Sequence, residues 1–425
     1  MRLFYQCLAY LALPFLFLRL YWRSRKTPQR WERWQERCGY TPLLTECLWI
    51  HAVSLGESIA AIPLIKKIIS HYPQIPVLVT SMTLTGSEYI QQQLGHTVYT
   101  SYIPFDAWHL VQRFFQRSHP KLAIILETEF WPNLCLACTQ RRIPMIITNA
   151  RLSPSSAERY QRYCPRLIRW MLASVSQIAC QAPADGERFV RLGLHREKLS
   201  ITGNIKFDVT VSDKQREAGA RLRQEIGATR LVWVAASTHD GEEKLILAAH
   251  RELLKYYPSA GLILVPRHPE RFDSIAALLR SDGWCFARRS LNQPITLNTH
   301  IYLADTVGEM MMLFAAGDIA VVAGSFKPIG GHNVLEPAAL GKPVVSGPVV
   351  HNFLHAVALL KAAEAIDIVE NSAESLAAAL CELAGNATLR HAKGQRALAV
   401  ILNNRGALEK QFSLIARAIS RAFSC

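Results

Sequence analysis

The chain has 425 residues, half of them hydrophobic and 19% charged, which excludes a disordered or fibrous polypeptide. It is too long for one small core, so about two to three domains are expected. Its 48 Lys and Arg against 33 Asp and Glu leave a net +15, which favours an anionic partner: nucleic acid, an acidic membrane surface or a phosphorylated substrate.

The chain opens on a nearly continuous apolar run, Leu3 to Leu18, followed by Arg19-Leu-Tyr-Trp-Arg-Ser-Arg-Lys26 and then Arg30, Trp31, Arg33, Trp34 and Arg37. The run is slightly short for a membrane span, and Pro14 is expected to kink it. Arginines mixed with tyrosine and tryptophan read as an interfacial anchor, with the rest of the chain on the cytoplasmic side. A helix buried in the protein's own core is the alternative.

From Cys47 onward, short apolar runs alternate with helical patterns. Strands are expected at Leu48–Ala52, Val77–Ser81, Leu122–Leu126, Met145–Thr148, Gln177–Cys180 and Leu199–Thr202. The polar stretch Gly203 to Asp213 reads as an inter-domain crossing. A second series follows at Leu231–Ala235, Leu262–Val265, His300–Leu303, Ile319–Ala323 and Pro343–Ser346, and the tail from Ser372 is Ala/Leu-rich and helical. This alternation predicts α/β domains, each a parallel sheet covered by helices, with ligands in the crevice at the carboxyl ends of the strands. Ten cysteines are scattered without a framework, as expected of reduced thiols in a cytosolic setting. The CxxC at Cys135 and Cys138 has no second pair to complete a zinc site.

Several strand ends carry candidate chemistry. Glu57 follows the first strand and opens a helix, where a carboxylate can take a proton from an attacking hydroxyl. The helix dipole is expected to keep it ionised at neutral pH, and a purely structural helix-start Glu explains the residue equally well. Glu127 and Glu129 point to one side if their strand stays extended. They could bind a metal or orient Lys206 or an arginine, and the second role is favoured. In the second series, Asp240 and Glu243 have capping-box spacing, and Arg267 could hold a phosphate or carboxylate bidentately. Gly308 allows close backbone approach. The stretch Gly324 to Pro337 joins a buried strand to a helix through three glycines, with Asn333 as expected N-cap. Such a turn offers N–H groups and a positive dipole end to an anion, and Glu336 is placed to accept hydrogen bonds from ribose hydroxyls. The arginines of Arg151 to Arg169 read as a solvated helix face or, beside a membrane, as a holder of acceptor phosphates.

These motifs together resemble the Kdo transferases, the family that adds 3-deoxy-D-manno-oct-2-ulosonic acid (Kdo) to lipid A precursor in lipopolysaccharide assembly. The resemblance runs in order through His51-Ala-Val-Ser-Leu-Gly-Glu57, Glu127-Thr-Glu-Phe-Trp-Pro-Asn133, Asn149-Ala-Arg-Leu-Ser153, Gly203-Asn-Ile-Lys-Phe-Asp208, Ser237-Thr-His-Asp-Gly-Glu-Glu243, Val265-Pro-Arg-His-Pro-Glu-Arg271 and Gly330-Gly-His-Asn-Val-Leu-Glu-Pro337. It implies a GT-B glycosyltransferase: two Rossmann-like domains facing a cleft, with an N-terminal membrane-anchoring helix. The anchor would occupy 1–26, the acceptor-binding domain 27–207 and the CMP-Kdo-binding domain 208–425, with the last helix able to pack back on the first domain. It further implies an inverting single displacement from CMP-Kdo to a sugar hydroxyl of lipid A precursor. In that reading Glu57 is the general base, while Glu127 and Lys206 stabilise the transition state. Pro266, Arg267, Val307, Gly308, Glu309, Asn333, Val334, Leu335 and Glu336 match the CMP-Kdo-binding segments. The order at Gly347 to Phe353 departs from the family pattern, and His351 is left outside the site. No cofactor, metal or nucleic acid is expected, and the implied location is the cytoplasmic face of a bacterial inner membrane. Two other readings are a different GT-B enzyme acting on a UDP-sugar, and a membrane-bound nucleic-acid binder with steeply salt-dependent affinity.

Overall fold

The computed structural model describes residues 2–25, 31 and 33–423; Lys26 and Arg30 of the basic cluster lie outside them. By their internal contacts the residues form two units, Met1–Asp208 with Arg405–Cys425, and Val209–Asn404.

The first unit is built on a seven-stranded sheet: β1 (Cys47–His51), β2 (Val77–Ser81), β3 (Tyr99–Tyr102), β4 (Pro120–Leu126), β5 (Met145–Ala150), β6 (Gln177–Cys180) and β7 (Leu199–Ile201). Their order is β3-β2-β1-β4-β5-β6-β7, and every pairing is parallel. Central strands covered on both faces must be apolar throughout, and all five residues of β1 are buried. Trp49 meets Phe114 and Phe115 edge-on and donates from Nε1 to Thr80 Oγ1 (2.8 Å). Leu48 and Ile50 face the helix Leu55–His71 and the terminal helix Ala407–Phe423, in one cluster with Ile65, Ile68, Phe412 and Ile415. Each such side chain contributes about 1.5–3 kcal/mol on full burial.

Polar contacts tie that terminal helix to the sheet. Gln411, fully buried, accepts from Thr148 Oγ1 (2.6 Å) and donates to Thr202 Oγ1 and the Gly203 carbonyl (both 3.3 Å). The Asp208 carboxylate accepts the N–H groups of Gly406 and Leu408 (2.6 Å each). At the other end, the helix Arg2–Ser24 runs through Pro14 without ending there. Leu13, Leu16 and Phe17 pack on Phe105, Ala107 and Leu110. Leu8, Leu11, Phe15, Leu18 and Trp22 stay more than half exposed. No helix of the described residues is long and apolar enough to cross a membrane.

The second unit repeats the plan with β8 (Val232–Thr238), β9 (Gly261–Pro266), β10 (Phe286–Arg288), β11 (Ile301–Leu303), β12 (Ile319–Val322), β13 (Val344–Ser346) and β14 (Ile366–Ile368). The order is β10-β11-β9-β8-β12-β13-β14, again with parallel pairs. In both sheets the order reverses at one point: between β1 and β4 in the first, between β8 and β12 in the second. Successive crossovers leave those two strands in opposite directions, opening a crevice at their carboxyl ends. Glu57 follows β1 and Glu127 follows β4; Ser237-Thr-His239 ends β8 and the glycine turn follows β12.

Candidate functional site

The first crevice gathers three of the expected residues. Ser54 caps the helix Leu55–His71, its Oγ accepting the Glu57 N–H (3.3 Å). The Glu57 side chain folds back over the cap, where Oε2 accepts the Val53 N–H (2.7 Å) and Oε1 accepts Ser54 Oγ–H (2.9 Å). This leaves Glu57 as a residue only 8% exposed. Burial, and next the charge of Glu127, push it up to about 7 despite those two donors. The dipole-based expectation of an ordinary ionised carboxylate is therefore overturned, because desolvation outweighs the helix terminus.

Strand β4 ends at Leu126, and Glu127 turns into the left-handed region with φ +57°. Glu127 and Glu129 are thus not strand neighbours on one extended face. Glu127 Oε1 lies 3.3 Å from Lys206 Nζ, the orienting role favoured over metal binding. Glu129 instead accepts from Trp131 Nε1 (3.0 Å), and burial raises its carboxyl. The Lys206 turn is held by asparagines: Asn149 Oδ1 accepts the Ile205 N–H and Asn204 Oδ1 the Lys206 N–H (3.0 Å each). Asn149 has φ +52° at a register shift between β5 and β6. Such a bulge re-aims the chain next to a site.

In the second crevice two buried acids organise the turns, and sequence reasoning missed their role. Glu242 accepts the N–H groups of His239 (2.9 Å), Gly324 (2.9 Å) and Phe326 (3.0 Å), binding the β8 turn to the β12 turn. Glu243 accepts from Thr238 Oγ1 (2.8 Å) and pairs with Arg271 (2.7 Å), adding the β9 turn. The expected Asp240–Glu243 capping box is absent: the helix Glu242–Tyr256 starts from Gly241 without a side-chain cap. Its one legible signal was two adjacent acids directly after a buried strand. Asn333 does cap, but one residue before the assigned N-cap, accepting the Leu335 N–H (3.1 Å) while its Nδ2 donates to Glu336 Oε1 (3.1 Å). Burial raises the Glu336 carboxyl.

The glycines of this turn answer to close approach. Gly324 has φ +70°, and a Cβ there would sit 2.5 Å from His332 Cδ2. Gly330 has φ +111°, and a Cβ would meet His351 Nε2 and Asn352 Nδ2 at 2.5 Å. His351, set aside from sequence, therefore packs against the turn.

The other expected donor-site residues divide by exposure. Pro266, Val334 and Leu335 are buried, whereas Arg267 is exposed at the end of β9. Val307 is 76% exposed. Glu309 follows β11 and is gripped by Arg289 (2.6 Å from Nη2), which holds its carboxyl below the usual range. No hydrogen bond among the described residues joins Glu309 to Asn333 or Glu336. No group of three or more His, Cys, Asp or Glu among them is placed to hold a metal ion.

Residues 32–209 match the family model described as 3-Deoxy-D-manno-octulosonic-acid transferase (kdotransferase). A 3-deoxy-D-manno-octulosonic acid transferase of Haemophilus influenzae is 38% identical over 424 residues, 99% of both chains. A probable mitochondrial 3-deoxy-D-manno-octulosonic acid transferase of Arabidopsis thaliana is 35% identical over 87% of this chain and 84% of its own. Among solved structures, a UDP-GlcNAc 2-epimerase from Neisseria meningitidis bound to UDP-GlcNAc aligns with TM-score 0.55 and 16% identity, over 89% of this chain and 100% of that one. This last likeness speaks to the fold alone, the GT-B class of two parallel-sheet α/β domains expected from the sequence. Identity of this level over the full length settles the lineage: the chain belongs to the family of 3-deoxy-D-manno-octulosonic acid transferases, which are glycosyltransferases.

Proposed function

We propose that the protein transfers Kdo from CMP-Kdo to a sugar hydroxyl of a lipid A precursor by a single inverting displacement, with Glu57 as general base. The observation that carries this reading is the Glu57 carboxyl itself: buried at a switch-point crevice, bound by two donors and pushed up to about 7. A base works best when its pKa lies near the working pH, where it is both available and strong enough to take a proton. Lys206, held 3.3 Å from Glu127, supplies fixed positive charge for the anions that develop as the bond to CMP breaks.

On the second unit, Arg267, the N–H groups beside Asn333 and the Glu336 carboxylate bind the CMP part of the donor, with Pro266, Val307, Gly308, Glu309, Val334 and Leu335 shaping that site. The protein works at the cytoplasmic face of an inner membrane. The exposed apolar residues Leu8, Leu11, Phe15, Leu18 and Trp22 support an interfacial helix, and the arginines after them suit anionic headgroups. The donor reading is tested by nucleotide protection of the full-length protein. CMP should raise the melting temperature and UDP should not; the reverse preference would assign the chain to UDP-sugar chemistry.

A further inference from the structure

Two imidazoles face each other across the second crevice. His239 Nε2 and His332 Nε2 are 2.7 Å apart, with their rings within 4° of parallel. A nitrogen pair at this distance is a hydrogen bond, so one Nε2 carries a proton and the other receives it. The pair is built in: Glu242 fixes the backbone at His239 and Gly324, and the bare Cα of Gly324 makes room for the His332 ring.

The surroundings are cationic. Arg267 and Arg271 approach from the β9 turn, and the His268 ring stands edge-on to His239 at 5.1 Å between centroids. The Lys327 ammonium approaches Gly241, two residues from His239. The nearby carboxylates are engaged elsewhere: Glu242 by three N–H groups, Glu243 by Arg271 and Thr238, the exposed Asp240 by Arg271, and Glu336 by Asn333. Burial, and next the His239 charge, push His332 down to about 3; burial and then His268 lower His239. Both rings are therefore neutral in the free protein at neutral pH. An anion entering here reverses the local field and favours one further proton on the pair.

We propose that the His239–His332 pair grips the phosphate of the donor and hands it a proton as it leaves. This rests on the CMP-Kdo reading and deepens it. Phosphate entry draws one proton from solvent onto the pair, giving an imidazole–imidazolium couple hydrogen-bonded to a phosphate oxygen. The bond between the sugar's anomeric carbon and the phosphate oxygen then breaks, and its electron pair goes to that oxygen. The imidazolium proton follows, leaving two neutral rings and CMP as its monoanion. The acceptor oxygen forms the new bond to the carbon, and its proton goes to Glu57.

The test is calorimetric titration of the full-length protein with CMP and with cytidine at about pH 8, in buffers of different ionisation heat. CMP binding should take up protons and cytidine binding should not. His239→Asn and His332→Asn should each lose the uptake and weaken CMP by about tenfold or more, with cytidine affinity unchanged. Unaltered uptake and CMP affinity in both variants would overturn the proposal. CMP binding by the wild type without proton uptake would also overturn it and leave the donor reading standing, whereas no preference for CMP over UDP would sink the donor reading itself. Nitrogen NMR of the wild-type histidines gives a check free of any folding defect. A stable cytidine phosphodiester such as cytidine 5′-(methyl phosphate), which stands in for the intact donor, should move the Nδ1 resonance of the ring that donates Nε2–H toward the protonated position, whereas cytidine should not, and an unmoved resonance contradicts the mechanism.

Discussion

Replacing Glu57 with glutamine should make the protein more stable at alkaline pH while abolishing transfer. In the folded state the carboxyl titrates at about 7 against a reference of 4.5. It holds its proton more tightly when folded, so its stabilising contribution is complete below pH 4.5 and is lost as the pH rises through about 7. At ~1.4 kcal/mol per pH unit, the gap amounts to about 3 kcal/mol of destabilisation above pH 8. Glutamine keeps one oxygen for the Val53 N–H and can donate from its amide nitrogen to Ser54 Oγ, and it carries no charge to desolvate. Glu57→Gln should therefore exceed the wild type by about 3 kcal/mol at pH 8.5, and by less than about 1 kcal/mol at pH 5. For a unit of this size that is a rise of roughly 6–12 °C in melting temperature at the higher pH. Thermal melts of both proteins across pH 5–9 measure it. Parallel curves would mean an ordinary solvated carboxylate, and would remove the physical basis for Glu57 as a base poised near neutrality. Wild-type kcat/KM should correspondingly rise with pH through about 7.

Other consequences are more local. Lys206→Ala should lower kcat by roughly 10²–10³ with little change in CMP affinity, since a preorganised charge acts mainly on the transition state; a loss confined to CMP affinity would move Lys206 out of that role. Glu336→Ala should weaken CMP binding first, and unchanged affinity would remove it from the donor site. Glu242→Gln should cost about 2–4 kcal/mol in stability, because an amide cannot accept from three N–H groups as the carboxylate does; urea unfolding checks it, and a wild-type midpoint would refute the organising role. Leu11→Asp with Phe15→Asp should reduce co-sedimentation with anionic vesicles, and undiminished binding would discard the helix Arg2–Ser24 as an interfacial anchor.

The central strands were legible because burial on both faces demands unbroken apolar runs, as in β1 and β9. The strands that escaped are β3, β10 and β14, all at sheet edges. Their sequences Tyr99-Thr-Ser-Tyr102, Phe286-Ala-Arg288 and Ile366-Asp-Ile368 are short and mixed, since an edge has a neighbour on one side only. Strand-end motifs pointed to Glu57, Glu127, Lys206 and Asn333, but their electrostatics depend on neighbours far away in the chain. Glu57 lies 70 positions before Glu127, whose charge helps push it up. Glu242 drew no reading of its own from the sequence, because nothing local reveals that it receives N–H groups from a loop 82 residues on. Gln411 was invisible for the same reason, its partners lying more than 200 positions earlier.

The central claim, Kdo transfer by a base at Glu57, is met most directly by mass spectrometry of lipid A precursor incubated with a CMP-Kdo source and the purified protein. The wild type should add the mass of one or more Kdo residues, and folded Glu57→Gln should add none. An unmodified acceptor with the wild type, or equal product from Glu57→Gln, would contradict the account.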